Sequence, residues 1–217
     1  MASRIRGAST GSGAFPPSPS APPHSPPPRP DLCSNRYYES CDASRAYSGA
    51  QIASALRAAG DQSLLEYMNT YWVSDDDAPE EFWAHEWKTH GTCVSTLEPA
   101  CFKEYTEAQE VVPYFATVVG LFKQLDTYGA LAAAGITPSE DQTYALEDMQ
   151  SAVEKATGFV PDFTCRDGAL TTVMYYLNAQ GPLQEGQFVQ SRASRSGGCP
   201  EEGVGYPVKR VGGGEGD

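Results

Sequence analysis

Amphipathic helical patterns fill the first two-thirds of the chain after its first thirty residues, and β-branched, aromatic runs follow them; that order most restricts the fold. Residues 48 to 59 put Ile52, Leu56 and Ala59 on one stripe and stop at Gly60, which is the pattern of a short helix with a glycine just beyond its end. Asp61 is placed to cap a second helix with Leu64, Leu65 and Met68 facing inward. Pro79 stands where a helix can begin, with Glu80 and Glu81 in its first turn, so residues 80 to 90 are expected to be helical. A longer helix is expected from about Thr106 to Tyr128, with Val111, Phe115, Val118, Val119, Phe122 and Leu125 as its apolar face. Gly135 and Pro138 break that pattern before a further helix through Leu146, Met149 and Val153 that ends near Gly158. Residues 159 to 164 and 169 to 177 read as strands, Gly181 and Pro182 as a turn, and Gln187 to Val189 as a strand pairing back. Helices first and a sheet later favour an α+β domain.

The ends of the chain differ from its middle. Residues 1 to 30 hold nine of the 17 prolines and a single large apolar group, Phe15, too little to bury, so this Pro-rich segment is expected to be disordered. The folded domain is expected over residues 31 to 208, and 209 to 217, with four glycines, as a flexible tail. All 28 acidic residues lie after residue 30, against 12 of the 15 basic ones. That balance excludes a broad electropositive surface for duplex DNA, although not a local site for nucleic acid. No run approaches the roughly 18 apolar residues of a membrane span, and the start lacks the apolar stretch of a signal peptide. Six cysteines (33, 41, 93, 101, 165 and 199) include no CxxC pair, which speaks against a zinc knuckle and for disulfides, with the pairing left open.

One segment carries chemistry. Two of the three histidines fall within Phe82-Trp83-Ala84-His85-Glu86-Trp87-Lys88-Thr89-His90-Gly91-Thr92-Cys93. On a helix Glu86 and His90 share a face, while His85 lies about 100° round from Glu86. A histidine can take a proton from a hydroxyl, and a neighbouring carboxylate can orient its ring; the aromatic rings offer stacking surfaces for a base. The same pattern also suits a packed helix with partly buried imidazoles. The five-residue separation of His85 and His90 misses the spacing of a shared metal on a helix, so no metal and no cofactor is expected.

This segment resembles the second active-site motif of the secreted ribonuclease T2 family. The resemblance extends through Pro30-Asp31-Leu32-Cys33, Tyr37 and Cys41-Asp42, through Leu64 to Trp72 as in fungal members, and through Asp162 to Cys165, Tyr175 to Gly181, Gly186 to Val189 and Cys199-Pro200, covering roughly residues 30 to 210. It implies the family's α+β fold, with helices against a mostly antiparallel sheet. It also implies a secreted, monomeric endoribonuclease of low base specificity, acting on single-stranded RNA through attack of the 2'-hydroxyl to give a 2',3'-cyclic phosphate. By the same resemblance His90 is the general base, His85 holds the phosphate and Glu86 helps stabilise the pentacoordinate state. Asp31 and Tyr37 match a first base pocket, Phe82 a second base subsite, and Lys88 stands one position before the lysine usual in the family, where this chain has Thr89. Cys41 would pair with Cys93 and Cys165 with Cys199, while Cys33 and Cys101 match cysteines whose partners lie in a preceding part.

The chain departs from the family before Asp31. A His-Gly-Leu-Trp-Pro stretch is usual there, supplying the acid that protonates the leaving group; residues 26 to 30 are Pro-Pro-Pro-Arg-Pro. His24 lies nearby within the proline-rich run. The expectation is that the domain lacks its first strand and that residues 1 to about 29 are foreign to it. Two functions follow: a ribonuclease, or an impaired relative that binds RNA without cleaving it.

Overall fold

The structure, a computed structural model, describes residues 2–6 and 29–31 as backbone, and residues 38–73, 78–192 and 197–208 in full. Local chemistry starts most of the helices. Ser48 and Gln51 form a reciprocal capping box that opens α1, Gly49–Ala58. The Asp61 carboxylate accepts the Leu64 N–H at the start of α2, Gln62–Tyr71. Pro79 stands at the first position of α3, Pro79–Thr89, where its missing N–H costs nothing. α1 and α3 meet closely: a Cβ on Gly49 would collide with the backbone of Glu80.

The long helix expected over Thr106 to Tyr128 is two helices, α4, Val111–Gln124, and α5, Thr127–Ala133. Pro113 limits the first at its N-terminal side, because extending the helix back to Thr106 would place the proline ring in the helix interior. Gln109 instead turns its side chain back to accept the Thr106 N–H. At the other end the Asp126 carboxylate accepts the Gly129 N–H and starts a new helix. The last helix, α6, Leu146–Thr157, ends at Gly158 as the pattern requires.

Seven strands form one sheet among the described residues. Its centre is the long hairpin of β4, Asp162–Arg166, and β5, Ala169–Gln180, which pair antiparallel. β6, Gln187–Gln190, pairs back on the far half of β5. The short strands β3, Thr143–Tyr144, and β7, Val204–Gly205, were not marked by any sequence pattern; β7 joins β5 through a single parallel pair.

Two expectations are corrected at the other edge. Ala2–Arg6, inside the segment expected to be disordered, forms β1 and pairs antiparallel with residues 174–178 of β5. Arg29–Asp31 forms β2 on its outer side. The edge that a missing first strand would leave open is therefore covered. The physical reason is that ASRIR precedes the first proline and keeps every amide N–H for a ladder, and the edge of β5 offers unpaired groups to match. The rest of the proline-rich segment, residues 7–28, and the expected tail, 209–217, lie outside the described residues.

Two cores meet along α4. Ile52, Leu56, Met68, Trp83, Trp87, Tyr114 and Phe115 fill the space among the helices. Leu131, Met149, Phe163, Val173, Tyr175 and Leu177 fill the space between the later helices and the sheet. Phe188 packs against both. This is an α+β domain with helices on a mostly antiparallel, open sheet.

Candidate functional site

α3 carries His85, Glu86 and Lys88, and its two tryptophans anchor it. Trp83 and Trp87 are fully buried; the first donates its indole N–H to the Trp72 carbonyl (2.9 Å) and the second to the Arg45 carbonyl (2.6 Å). With those rings held inward, His85 is exposed, Phe82 is half-buried and Lys88 is exposed. Phe82 packs edge-on against Trp72, ring centroids 5.7 Å apart.

Glu86 and His90 are both buried, 6% and 8% exposed. Their side chains meet across one helical turn, His90 Nε2 lying 3.9 Å from Glu86 Oε2. Tyr114 hydroxyl donates to the Glu86 carbonyl (3.4 Å). Burial first, and then the Glu86 carboxylate, push the Tyr114 phenol well above its usual pKa, so this phenol stays a neutral donor. His90 is the C-terminal cap of α3, where the negative end of the helix dipole favours a cation.

The chain turns sharply after His90 through a single 3-10 turn, Gly91–Cys93. Gly91 is required there, because a Cβ would overlap the ring of Trp87. Residues 40 to 45 clamp this turn. Ser40 N–H donates to the Thr89 carbonyl (2.9 Å) and Cys41 N–H to the Thr92 hydroxyl (3.1 Å), which itself donates to the Lys88 carbonyl (2.8 Å). A disulfide joins Cys41 to Cys93, and a second, remote from the site, joins Cys165 to Cys199.

The structure therefore brings Glu86 and His90 together, with His85 and Phe82 on the same helix. β2, which contains Asp31, runs beside the Gly91–Cys93 turn. The Asp31 side chain and all of Tyr37 lie outside the described residues, as does Cys33. Cys101 carries a free, exposed thiol. No group of three or more His, Cys, Asp or Glu side chains suited to a metal occurs among the described residues, and no described helix is long and apolar enough to cross a membrane.

Sequence reasoning missed Arg45, Thr92 and Glu110, all buried polar residues around this turn. The only local signal was the three-residue spacing of Asp42 and Arg45, whose side chains bond at 2.8 Å. The Ser44 hydroxyl first, and the Arg45 guanidinium next, hold the Asp42 carboxyl down at about 2, against an ordinary 3.8. A lowered folded-state pKa stabilises the fold above the ordinary value and loses that effect as pH falls through the folded one. Asp42→Asn is thus expected to melt below the wild type at pH 6, with the difference in Tm closing between pH 4 and pH 2; calorimetry across that range checks it.

Known proteins resemble this chain in sequence and in fold. The family model described as the ribonuclease T2 family matches residues 29–189. Ribonuclease M of Aspergillus phoenicis is 44% identical over 83% of this chain and 76% of its own length. Ribonuclease Trv of Hypocrea rufa is 42% identical, with the same coverage of both. The crystal structure of Actibind, a T2 ribonuclease, superposes with a TM-score of 0.81 at 40% identity, over 96% of this chain and 86% of that one. Human RNase T2 superposes with a TM-score of 0.62 at 20% identity over 95% of this chain and 98% of that one, a likeness of fold. With a family match across most of its length and relatives above 40% identity, the chain belongs to the ribonuclease T2 family.

Proposed function

We propose that this protein is an endoribonuclease that cleaves single-stranded RNA by transphosphorylation. The observation that carries the reading is the buried Glu86–His90 pair at the C-terminal end of α3, beside an exposed His85 on the same helix. In the proposed step His90 takes the proton of a ribose 2'-hydroxyl as that oxygen attacks the adjacent phosphorus. A bond forms from the 2'-oxygen to phosphorus, the bond from phosphorus to the 5'-oxygen breaks as that oxygen takes a proton from solvent water and leaves as an alcohol, and a 2',3'-cyclic phosphate remains. The charge gained by His90 is met by the Glu86 carboxylate and by the end of the helix dipole. His85, exposed to solvent, is placed to hold a phosphate, with Lys88 reaching toward it along a flexible stem. Phe82 offers a ring for a second base, and Asp31 and Tyr37 belong to the first base pocket. DNA, lacking the 2'-hydroxyl, is not cleaved.

His85, Glu86 and His90 come from one helix of one chain, so the proposed step needs no residue from a second subunit. The two disulfides among the described residues suit an oxidising, extracellular compartment. No metal enters the proposed step.

A second reading is favoured by Pro26-Pro27-Pro28-Arg29-Pro30, which stands where the family has its first active-site motif. Without an acid for the 5'-oxygen, the protein would bind RNA and not cleave it. One assay separates the two: incubation of the full chain with single-stranded RNA in chelator from pH 4 to pH 8. Accumulation of 2',3'-cyclic phosphate ends supports the ribonuclease. Binding with no such product across the range overturns it in favour of the second reading.

A further inference from the structure

We propose that Arg45 is the positioning residue for His90, holding the backbone on both sides of it; this rests on the reading of His90 as the base. Arg45 is only 4% exposed, yet its guanidinium is bonded on every edge. Nη2 donates to the Thr92 carbonyl (2.8 Å), Nη1 to the Leu97 carbonyl (3.1 Å) and Nε to Asp42 Oδ2 (2.8 Å). Its own carbonyl accepts the Trp87 indole N–H (2.6 Å), and its guanidinium lies over the Trp87 ring, 5.8 Å from the centroid. Trp87 is three residues before His90 and Thr92 two residues after it. One residue thus fixes the last turn of α3 and the turn that follows, and the imidazole between them has little room to drift.

The charge of Arg45 is met by Asp42 and, from a different element, by Glu110. Glu110, just before α4 and completely buried, places Oε1 3.9 Å from Arg45 Nη1 and accepts the Tyr47 hydroxyl (3.1 Å). The Tyr47 and Tyr105 hydroxyls lie 3.0 Å apart. A buried ion pair of this kind is a poor source of net stability compared with apolar packing. A rigid fork of diverging donors is what it supplies, and lysine, a point charge on a flexible stem, cannot reproduce it. A misplacement of a reacting group by about 1 Å can cost roughly 100-fold in rate, so a strut that fixes the backbone around His90 acts on catalysis without touching substrate.

The test uses Arg45→Lys in the full chain, with Tyr175→Phe as a destabilised control; Tyr175 is bonded to Thr127 in the other core, away from α3. With only three histidines in the chain, His90 is assigned in imidazole NMR spectra by its loss in His90→Ala. Arg45→Lys is expected to displace the His90 ring resonances and to lower kcat by about 10- to 100-fold, with KM changed less than about twofold. Tyr175→Phe is expected to lower Tm while leaving both the resonances and kcat in place. Wild-type His90 resonances in Arg45→Lys, or a kcat no lower than that of the control, overturn the proposal. If Arg45→Lys does not fold, Glu110→Gln is read instead, with the same displacement expected in smaller degree and the same overturning result. Should the wild type cleave no RNA, the ribonuclease reading fails by itself, and the resonances alone decide the role of Arg45.

Discussion

His90→Ala is expected to reduce cleavage of single-stranded RNA by about 100- to 10,000-fold, the usual loss on removing a positioned acid–base group, while RNA binding stays within a few-fold of the wild type. The expectation follows from place as well as residue type. His90 sits where Glu86, the end of α3 and the clamp from residues 40 to 45 all meet. His85, five residues earlier, is exposed and cannot be carried to the same point without unwinding the helix. Initial rates for the variant and wild type, read beside their melting curves, check the effect. A variant that folds, binds RNA and cleaves within tenfold of the wild type would remove His90 from the base role. Glu86→Gln should lose less, because it keeps the shape of the side chain and surrenders only the charge that supports the protonated ring.

How much of this was legible in the sequence depended on how local the cause was. Asp61 at the start of α2, Pro79 at the start of α3 and Gly158 at the end of α6 all act within four residues, and the helices they mark stand where the pattern put them. The Glu86–His90 pair was legible for the same reason, being one turn of helix. The single long helix failed because periodicity alone ignores Pro113 and Asp126, each of which acts on the backbone and not on the apolar stripe. β1 failed because composition was averaged over thirty residues, whereas pairing needs only five that are free of proline and an open edge to receive them. Arg45 was illegible in a stronger sense: Thr92, Leu97 and Glu110 lie 47, 52 and 65 positions away along the chain, and no local pattern announces that an arginine will be buried among them.

Removing the Cys41–Cys93 disulfide should cost both stability and activity, and the second disulfide separates the two effects. The bond closes a loop with a sequence separation of 52, for which the chain-entropy estimate is about 4 kcal/mol; in a domain of this size that corresponds to a fall in Tm of roughly 8 to 16 °C. The Cys165–Cys199 bond closes a loop with a separation of 34, and the logarithm makes its expected contribution nearly the same, again about 4 kcal/mol. The two double serine variants are therefore matched in stability but not in location. Cys93 follows His90 by three residues and lies in the turn that Ser40, Cys41 and Arg45 hold, whereas Cys165 and Cys199 tie the β4 end of the sheet to the loop before β7. Assayed well below both melting points, Cys41→Ser/Cys93→Ser should lose cleavage by about 10-fold or more through a looser His90, and Cys165→Ser/Cys199→Ser should keep most of it. Equal losses would mean that activity follows global stability, and the clamp around residues 87 to 93 would then hold the fold together without tuning the base.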